Sequence, residues 1–300
     1  MIKRILSVLK QIKINLKYIA KRSTIWTSSI IAVSQTIGFL LDFNDIFPED
    51  WIFIKRLLVS AAVVTVIWLI VCVIYCIIVL KNESVAVIDA KNGHHVFVEY
   101  GDLLADSDES KNVVVTVNRC FDTIVDNDLI SSETIHGKIV NKICSDSYSA
   151  EMLNEALQND LCEIKKIKPQ QILLKKNKRK GNLKRYPVGS IAEFKKQPDD
   201  KTTYFFLGMS AFNSNLHPET TDKEYMITIQ SLIEYCHLRS QKLPIYIPII
   251  GTHGLDNKKS ERELLEFMVN SLRFNEHLIN TDIHIVVYSG QKSEVSIYGL

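Results

Sequence analysis

Four short stretches of this 300-residue chain carry side chains able to bind a ligand. Tyr100-Gly101-Asp102-Leu103-Leu104 puts a carboxylate directly after an apolar run, where it can accept hydrogen bonds from an exocyclic amine such as that of adenine. Val117-Asn118-Arg119-Cys120-Phe121-Asp122 closes the run VVVTVN, and Met209-Ser210-Ala211-Phe212-Asn213 closes another. Pro248-Ile249-Ile250-Gly251-Thr252-His253-Gly254-Leu255 sets two glycines between a buried apolar run and a helix, as a backbone cradle for phosphate does. Plainer uses exist for each of these residues. Asp102 can cap a turn, Asn118 can hold its own loop, and His136 and His253 can be hydrogen-bonded structural residues. Cys120 with His136 has the composition of a thiol nucleophile and its base, while a small buried thiol is the alternative. Gly-x-Ser-x-Gly, His-Glu-x-x-His and phosphate-binding Gly-Lys-Ser/Thr motifs are absent. The six cysteines form no Cys-x-x-Cys pair and no zinc-finger spacing with histidine, so they read as reduced thiols without metal.

Loops of this kind need strands behind them. Short β-branched runs at Val85–Ile88, Val96–Tyr100, Val113–Val117, Tyr204–Met209, Ile245–Ile250 and Ile283–Tyr288 are mostly too continuously apolar for a one-sided sheet. Between them fall amphipathic helices with start signals, Thr221 with Glu224 and Ser260 with Glu263. Strands alternating with helices predict an α/β domain, a mixed, mostly parallel sheet covered by helices, over residues 84–300. Ligands in such sheets bind beyond the carboxyl ends of the strands, which is where the four stretches fall. The segment 165–185 carries ten basic residues and is expected to be a solvated, mobile insertion, or a contact for anionic lipid. No aromatic platform accompanies its charges, which argues against nucleic acid.

Residues before 81 are a different material. Leu57–Leu80 runs for 24 residues without a charge, about 36 Å as a helix against a hydrocarbon core of about 30 Å. Residues 23–41 form a second uncharged stretch, richer in Ser and Thr, whose hydroxyls and Gln35 are expected to face a partner helix. The fold class therefore includes a two-helix transmembrane hairpin ahead of the α/β domain, with residues 42–56 as the outer connection. Seven basic residues precede the first stretch and four acidic ones lie in the connection, which places both termini in the cytoplasm despite Lys55 and Arg56. Residues 1–22 are an amphipathic basic segment suited to an anionic membrane surface. Beyond residue 81 the charge is nearly balanced, so net charge selects no partner.

Taken in order, the four stretches resemble the macro domain, a module that binds ADP-ribose and related dinucleotides. Gly101-Asp102-Leu103 looks like its Gly-Asp-Ile element, VVVTVN like its strand ending in Val-Asn, Ile135-His136-Gly137 like the helix that follows, and PIIGTHG like its diphosphate loop. The terminal IVVYS and EVSIYGL look like its closing strand and tail. The glycines that usually follow the Asn are replaced by Arg119-Cys120-Phe121-Asp122. The phrase NRCFDTIVDNDLISSETIHG behind two membrane stretches is more similar to the macro-like domain of membrane-type effectors in bacterial Thoeris anti-phage defence.

That resemblance implies an inner-membrane protein with several spans, and a receptor rather than an enzyme. Its ligand would be an ADP-ribose derivative, such as an adduct made from NAD by a TIR-domain enzyme. Binding would drive homo-oligomerisation, disruption of the bilayer and abortive infection. It implies adenine at Asp102 and diphosphate at Gly251, Thr252, His253 and Gly254. The distal ribose or its substituent would lie near Asn118, Phe121, Asp122 and His136, with Cys120, Phe212, Asn213 and Leu255 as further ligand-binding residues, no resident cofactor and no metal. The competing readings are a membrane-tethered ADP-ribosyl hydrolase and a scaffold domain on an inert hairpin.

Overall fold

The computed structural model describes residues 2–40, 53–144, 148–252 and 258–300. The chain divides into two compact units, Met1–Glu83 with Gly290–Gly299, and Ser84–Ser289 with Leu300.

In the first unit, α1 (Ile2–Leu40) and α2 (Phe53–Lys81) pack against each other. The Ser23 and Thr27 hydroxyls are buried, as polar groups at a helix contact should be, and Trp68 Nε1 donates to Thr24 Oγ1 at 3.2 Å. Gln35 departs from expectation and points outward. Among the described residues one helical stretch, Leu57–Lys81, is long and apolar enough to cross a membrane, with a mean hydropathy of 3.2. Residue 41 of the expected span at 23–41 lies outside the described residues, and the described part does not count as a second such stretch. Its Ser, Thr and Gln residues dilute its apolar character, and it continues the basic segment before it as one helix. The connection at 42–52 lies outside the described residues.

The second unit is an eight-stranded mixed sheet. Its strands β1 (Ser84–Asp89), β2 (His95–Gly101), β3 (Lys111–Asn118), β6 (Ile191–Phe194), β7 (Thr202–Phe212), β9 (Ile245–Pro248) and β10 (Ile283–Tyr288) lie in the order β1-β2-β10-β9-β3-β7-β6. The five central strands are parallel, and β1 and β6 are antiparallel edges. A short β8 (Pro218–Glu219) pairs with the end of β7, while β4 (Gln171–Ile172) and β5 (Lys184–Arg185) make a separate hairpin.

Both sheet faces are covered because the strands are apolar at consecutive positions. On β7, Phe206 joins a core with Ile139 and Val140 of α3 (Ile135–Ile143) and Leu153 and Leu157 of α4 (Ala150–Asn159). Its neighbour Phe205 meets Tyr235 of α5 (Asp222–Arg239) edge-on at 5.4 Å on the opposite face. Period-two alternation of the strand alone accounts for this division. α5 and α6 (Glu261–Phe274) each begin with the capping box read from Thr221/Glu224 and Ser260/Glu263.

The basic segment 165–185 is anchored to the domain at a few residues, while Lys166, Lys168, Lys175, Lys176, Arg179 and Lys184 are exposed. It holds the β4–β5 hairpin, Lys165 bridges to Asp160 at 2.7 Å, and Lys178 is fully buried. Lys178, a buried cation with a carboxylate partner, is not a membrane-surface group.

Candidate ligand-binding cleft

The carboxyl ends of β3, β7 and β9 and the first turn of α3 enclose a cleft of about 320 Å³. Asn118 ends β3 at its floor. Its Oδ1 accepts from the Cys120 N–H at 2.9 Å, and the Phe121 N–H donates back to the Asn118 carbonyl at 2.9 Å, so the chain reverses at once. The reversal leaves Phe121 at φ +55°, a conformation rarely adopted by so large a residue. What holds it there is packing: the ring is fully buried, edge-on to Tyr186 at 5.6 Å. Across from it Gly208 must lack a side chain, since a Cβ would come within 3.0 Å of the Phe121 Cζ.

Two polar atoms of the cleft wall are buried without a hydrogen-bond partner, Asn118 Nδ2 and His136 Nε2. Buried polar groups are ordinarily satisfied, so an unmatched donor and an unmatched ring nitrogen at one cavity mark where a ligand would bond. His136 sits in the first turn of α3, whose N-cap Thr134 accepts from the Gly137 N–H. Burial drives the His136 pKa down to about 4, a hydrogen bond to the Asp122 main chain opposing the shift only in part. At pH 7 the imidazole is neutral.

A histidine held neutral in this way makes the fold sensitive to acid. Below its unfolded pKa near 6.5, the unfolded chain takes up a proton that the folded ring refuses, so the stability His136 contributes is complete above that pH and is lost as pH falls toward 4. The full effect is on the order of 3 kcal/mol. Thermal unfolding between pH 7 and 5 should show a falling midpoint, and His136→Gln should flatten that slope. An unchanged slope in the variant would place the titrating group elsewhere.

Behind the cleft the basic segment clamps the β3–α3 loop. Lys178 Nζ donates to Asp122 Oδ2 at 2.7 Å with both side chains at most 1% exposed, and the Asn182 N–H donates to the other carboxylate oxygen at 2.6 Å. Burial is the largest influence on Asp122 and pushes its carboxyl up, with the Lys178 ammonium pulling the other way. Arg179 pairs with Asp128 and Lys180 with Asp126, so three consecutive cations meet three carboxylates of one loop. Gly181, at φ +77°, is required, because a Cβ would stand 2.2 Å from Asp122 Oδ1. Leu129, Ile130, Phe212 and Leu216 cluster over this clamp and supply the apolar wall of the cleft.

The expected site residues therefore separate. Asn118, His136, Phe212, Gly251 and Thr252 line the cleft together. Cys120, Phe121 and Asp122 turn away from it into the protein: all three are buried, and burial raises the Cys120 thiol above its usual range. Asn213 folds onto its own turn, its Oδ1 accepting from Asn215 and His217 and its Nδ2 donating to Glu219. Asp102 stands at the same end of the sheet, after β2, but is exposed and does not line the cleft. Its Oδ1 accepts from the Leu104 N–H at 2.9 Å, the turn-capping role. His253, Gly254 and Leu255 lie outside the described residues.

Ser131 and Thr134, which also line the cleft, lay outside the stretches singled out in the sequence, while Ile135, Met209, Ser210 and Ile249 lay within them. Ser131 and Thr134 are small polar residues whose types alone signal no chemistry. Among the described lining residues the only charged one is Glu133, exposed at the rim. A phosphate here would depend on main-chain N–H groups near Gly251, whose φ of +92° suits a cradle. Among the described residues no cluster of side chains suits a metal ion.

Residues 96–288 match the family described as Thoeris protein ThsA, Macro domain. The chain is also 23% identical over 290 residues to the Thoeris protein ThsA of Bacillus amyloliquefaciens (strain Y2), an alignment that covers 92% of this chain and 87% of the relative.

Proposed function

This chain belongs to the macro-domain family of Thoeris ThsA proteins, and from that premise we propose that its cleft receives an ADP-ribose-derived nucleotide as a signal and does not turn it over. The pair of unpartnered atoms, Asn118 Nδ2 and His136 Nε2, carries the reading. A buried amide donor beside a neutral ring nitrogen suits the hydroxyls of a sugar. Diphosphate would lie over Gly251 and Thr252. Asp102 follows β2 and Asn118 ends β3, three strand spacings apart across β10 and β9, or about 14 Å of sheet. An extended dinucleotide reaches that far, so adenine at Asp102 is compatible with sugar at Asn118.

Binding without turnover is supported by what has become of the reactive residues. Asp122 is locked to Lys178, Cys120 is a buried thiol with a raised pKa, and neither lines the cleft. As a Thoeris defence effector the protein would read a signal made from NAD by a TIR-domain enzyme. Its output would be assembly of many copies at the bacterial inner membrane, through α2 with α1 alongside, and loss of the bilayer's integrity. For a ligand to move such an equilibrium from about 1:99 to 99:1 it must favour the assembled state by ~5.5 kcal/mol.

Calorimetry of the full chain in detergent against ADP-ribose and NAD, with chromatography of the mixture afterwards, tests the reading. Saturable binding with the nucleotide recovered intact is the expected result. Steady release of ribose or of a free ADP-ribosyl acceptor would make it a hydrolase; no binding to either compound or to ADP-ribose adducts would leave a scaffold domain.

A further inference from the structure

A second cavity, of about 200 Å³, opens at the amino ends of the strands, where β3 begins at Lys111 and β7 at Thr202, beside the last turn of α3. Among the described residues its lining carries four ammonium groups, on Lys111, Lys142, Lys196 and Lys201, against two carboxylates, on Asp106 and Asp200. The cleft at the carboxyl ends has no cation among its described lining residues. Three of the four lysines have evident partners. Lys142 Nζ donates to the Leu104 carbonyl and to Asp106 Oδ1, each at 2.6 Å, and Lys196 Nζ donates to the Ile143 carbonyl at 3.0 Å. Lys201, half exposed, stands 3.9 Å from Asp108.

Lys111 is different. It is only 8% exposed, and among the described residues no carboxylate comes within 4.0 Å of its ammonium. Its Nζ donates to the Ala105 carbonyl at 3.0 Å and lies 5.1 Å from the centre of the Tyr246 ring. An ammonium has three protons and a full charge, and one carbonyl with a ring face leaves both incompletely matched. Burial lowers the Lys111 pKa and the Lys142 charge adds to the shift, with Asp106 opposing them. Buried charges in folded proteins are ordinarily paired, because an unpaired one gives up its hydration for nothing. What the cavity lacks is an anion. Pockets for drug-sized ligands run to about 300–1,000 Å³, so a smaller space suits a single phosphate group better than a whole nucleotide. We propose that this cavity binds a phosphate-type oxyanion, free or as the end of a small monoester, through Lys111, with Lys142, Lys196 and the Thr202 hydroxyl in the same lining. The site is separate from the cleft and does not depend on what the cleft receives.

The test uses no nucleotide. The full chain in detergent is titrated calorimetrically with inorganic phosphate at constant ionic strength, chloride making up the balance, and then with glycerol 3-phosphate. Wild type should bind phosphate saturably. Lys111→Met should weaken that binding at least about tenfold, the size expected for a hydrogen bond to a charged partner. Lys142→Gln, at a more exposed position that the fold tolerates, should weaken it severalfold, and it carries the test if Lys111→Met fails to fold by circular dichroism. Gly251→Glu, which obstructs the cleft at the opposite end of the sheet, should leave phosphate affinity within about twofold of wild type. Glycerol 3-phosphate binding as well as phosphate does would mark a monoester site, and its exclusion a site for free phosphate; either result supports the oxyanion. Absence of saturable binding to wild type, affinity unchanged in the lysine variants, or binding lost in Gly251→Glu overturns the proposal, the last by placing the phosphate in the cleft. A failure here leaves the reading of the cleft as it was.

Discussion

Replacing Lys178 with Met should be the most damaging single change in the α/β domain, because it strands the buried Asp122 carboxylate. The two side chains are 0% and 1% exposed, and the remaining partner of Asp122 is the Asn182 N–H at 2.6 Å. Removing one member of such a pair costs about 3–5 kcal/mol, a large part of the total stability of about 5–15 kcal/mol expected for a domain. For a domain of this size the thermal midpoint should fall by roughly 10 °C. The loss belongs to the stranded charge rather than to the pair, so Lys178→Met with Asp122→Asn should recover part of it. Circular dichroism melts of the single and double variants at pH 7 measure both effects. A midpoint within about 2 °C of wild type for Lys178→Met would mean that water reaches the pair. The single variant should also weaken nucleotide binding, because the Asp122 main chain holds the His136 ring at the cleft wall.

Gly251→Glu carries the largest expected effect on binding. Gly251 lines the cleft at φ +92°, so any side chain is strained there, at a cost of about 1–3 kcal/mol. Glutamate adds a negative charge where the diphosphate is proposed to lie. Together these should lower ADP-ribose affinity at least about a hundredfold, or ~2.7 kcal/mol. Gly251→Ala separates the two contributions, since it keeps the strain and omits the charge; its loss should be about tenfold or less. Added salt should rescue part of the Gly251→Glu defect, and none of the alanine one, because screening acts only on charge. Equal affinity in all three proteins would take the phosphate away from this loop.

Much of the frame is legible in the local pattern of the chain. The six apolar runs are six of the strands, and both capping boxes start the helices assigned to them, because burial on two faces and helix capping are local demands written into neighbouring residues. The antiparallel edge strand β6 went unread: at four residues it is too short for its alternation to register. The stretch at 23–40 carries hydroxyls and an amide that leave it less apolar than Leu57–Lys81.

Within the cleft the division is sharper. Asn118 and Gly251 were identifiable because one closes an apolar strand and the other follows one, at the end of the sheet where ligands bind. Cys120, Phe121 and Asp122 have equally suggestive types and follow Asn118 directly, yet they serve the interior. Direction is what separates them, and a turn with Phe121 at φ +55° points successive side chains to places no spacing rule predicts.

By itself, then, the sequence determined the layered α/β domain, a helix able to cross a membrane, and the strand ends at which a ligand would sit, all consequences of local hydrophobic pattern and turn chemistry. Only the tertiary structure decided that Lys178, Arg179 and Lys180 of the basic run close on Asp122, Asp128 and Asp126, and that the last residues pack on the first helix. Complementary charges were visible in both runs, but which charge meets which partner, and whether water is excluded from the meeting, depends on chain segments more than fifty residues apart being folded together.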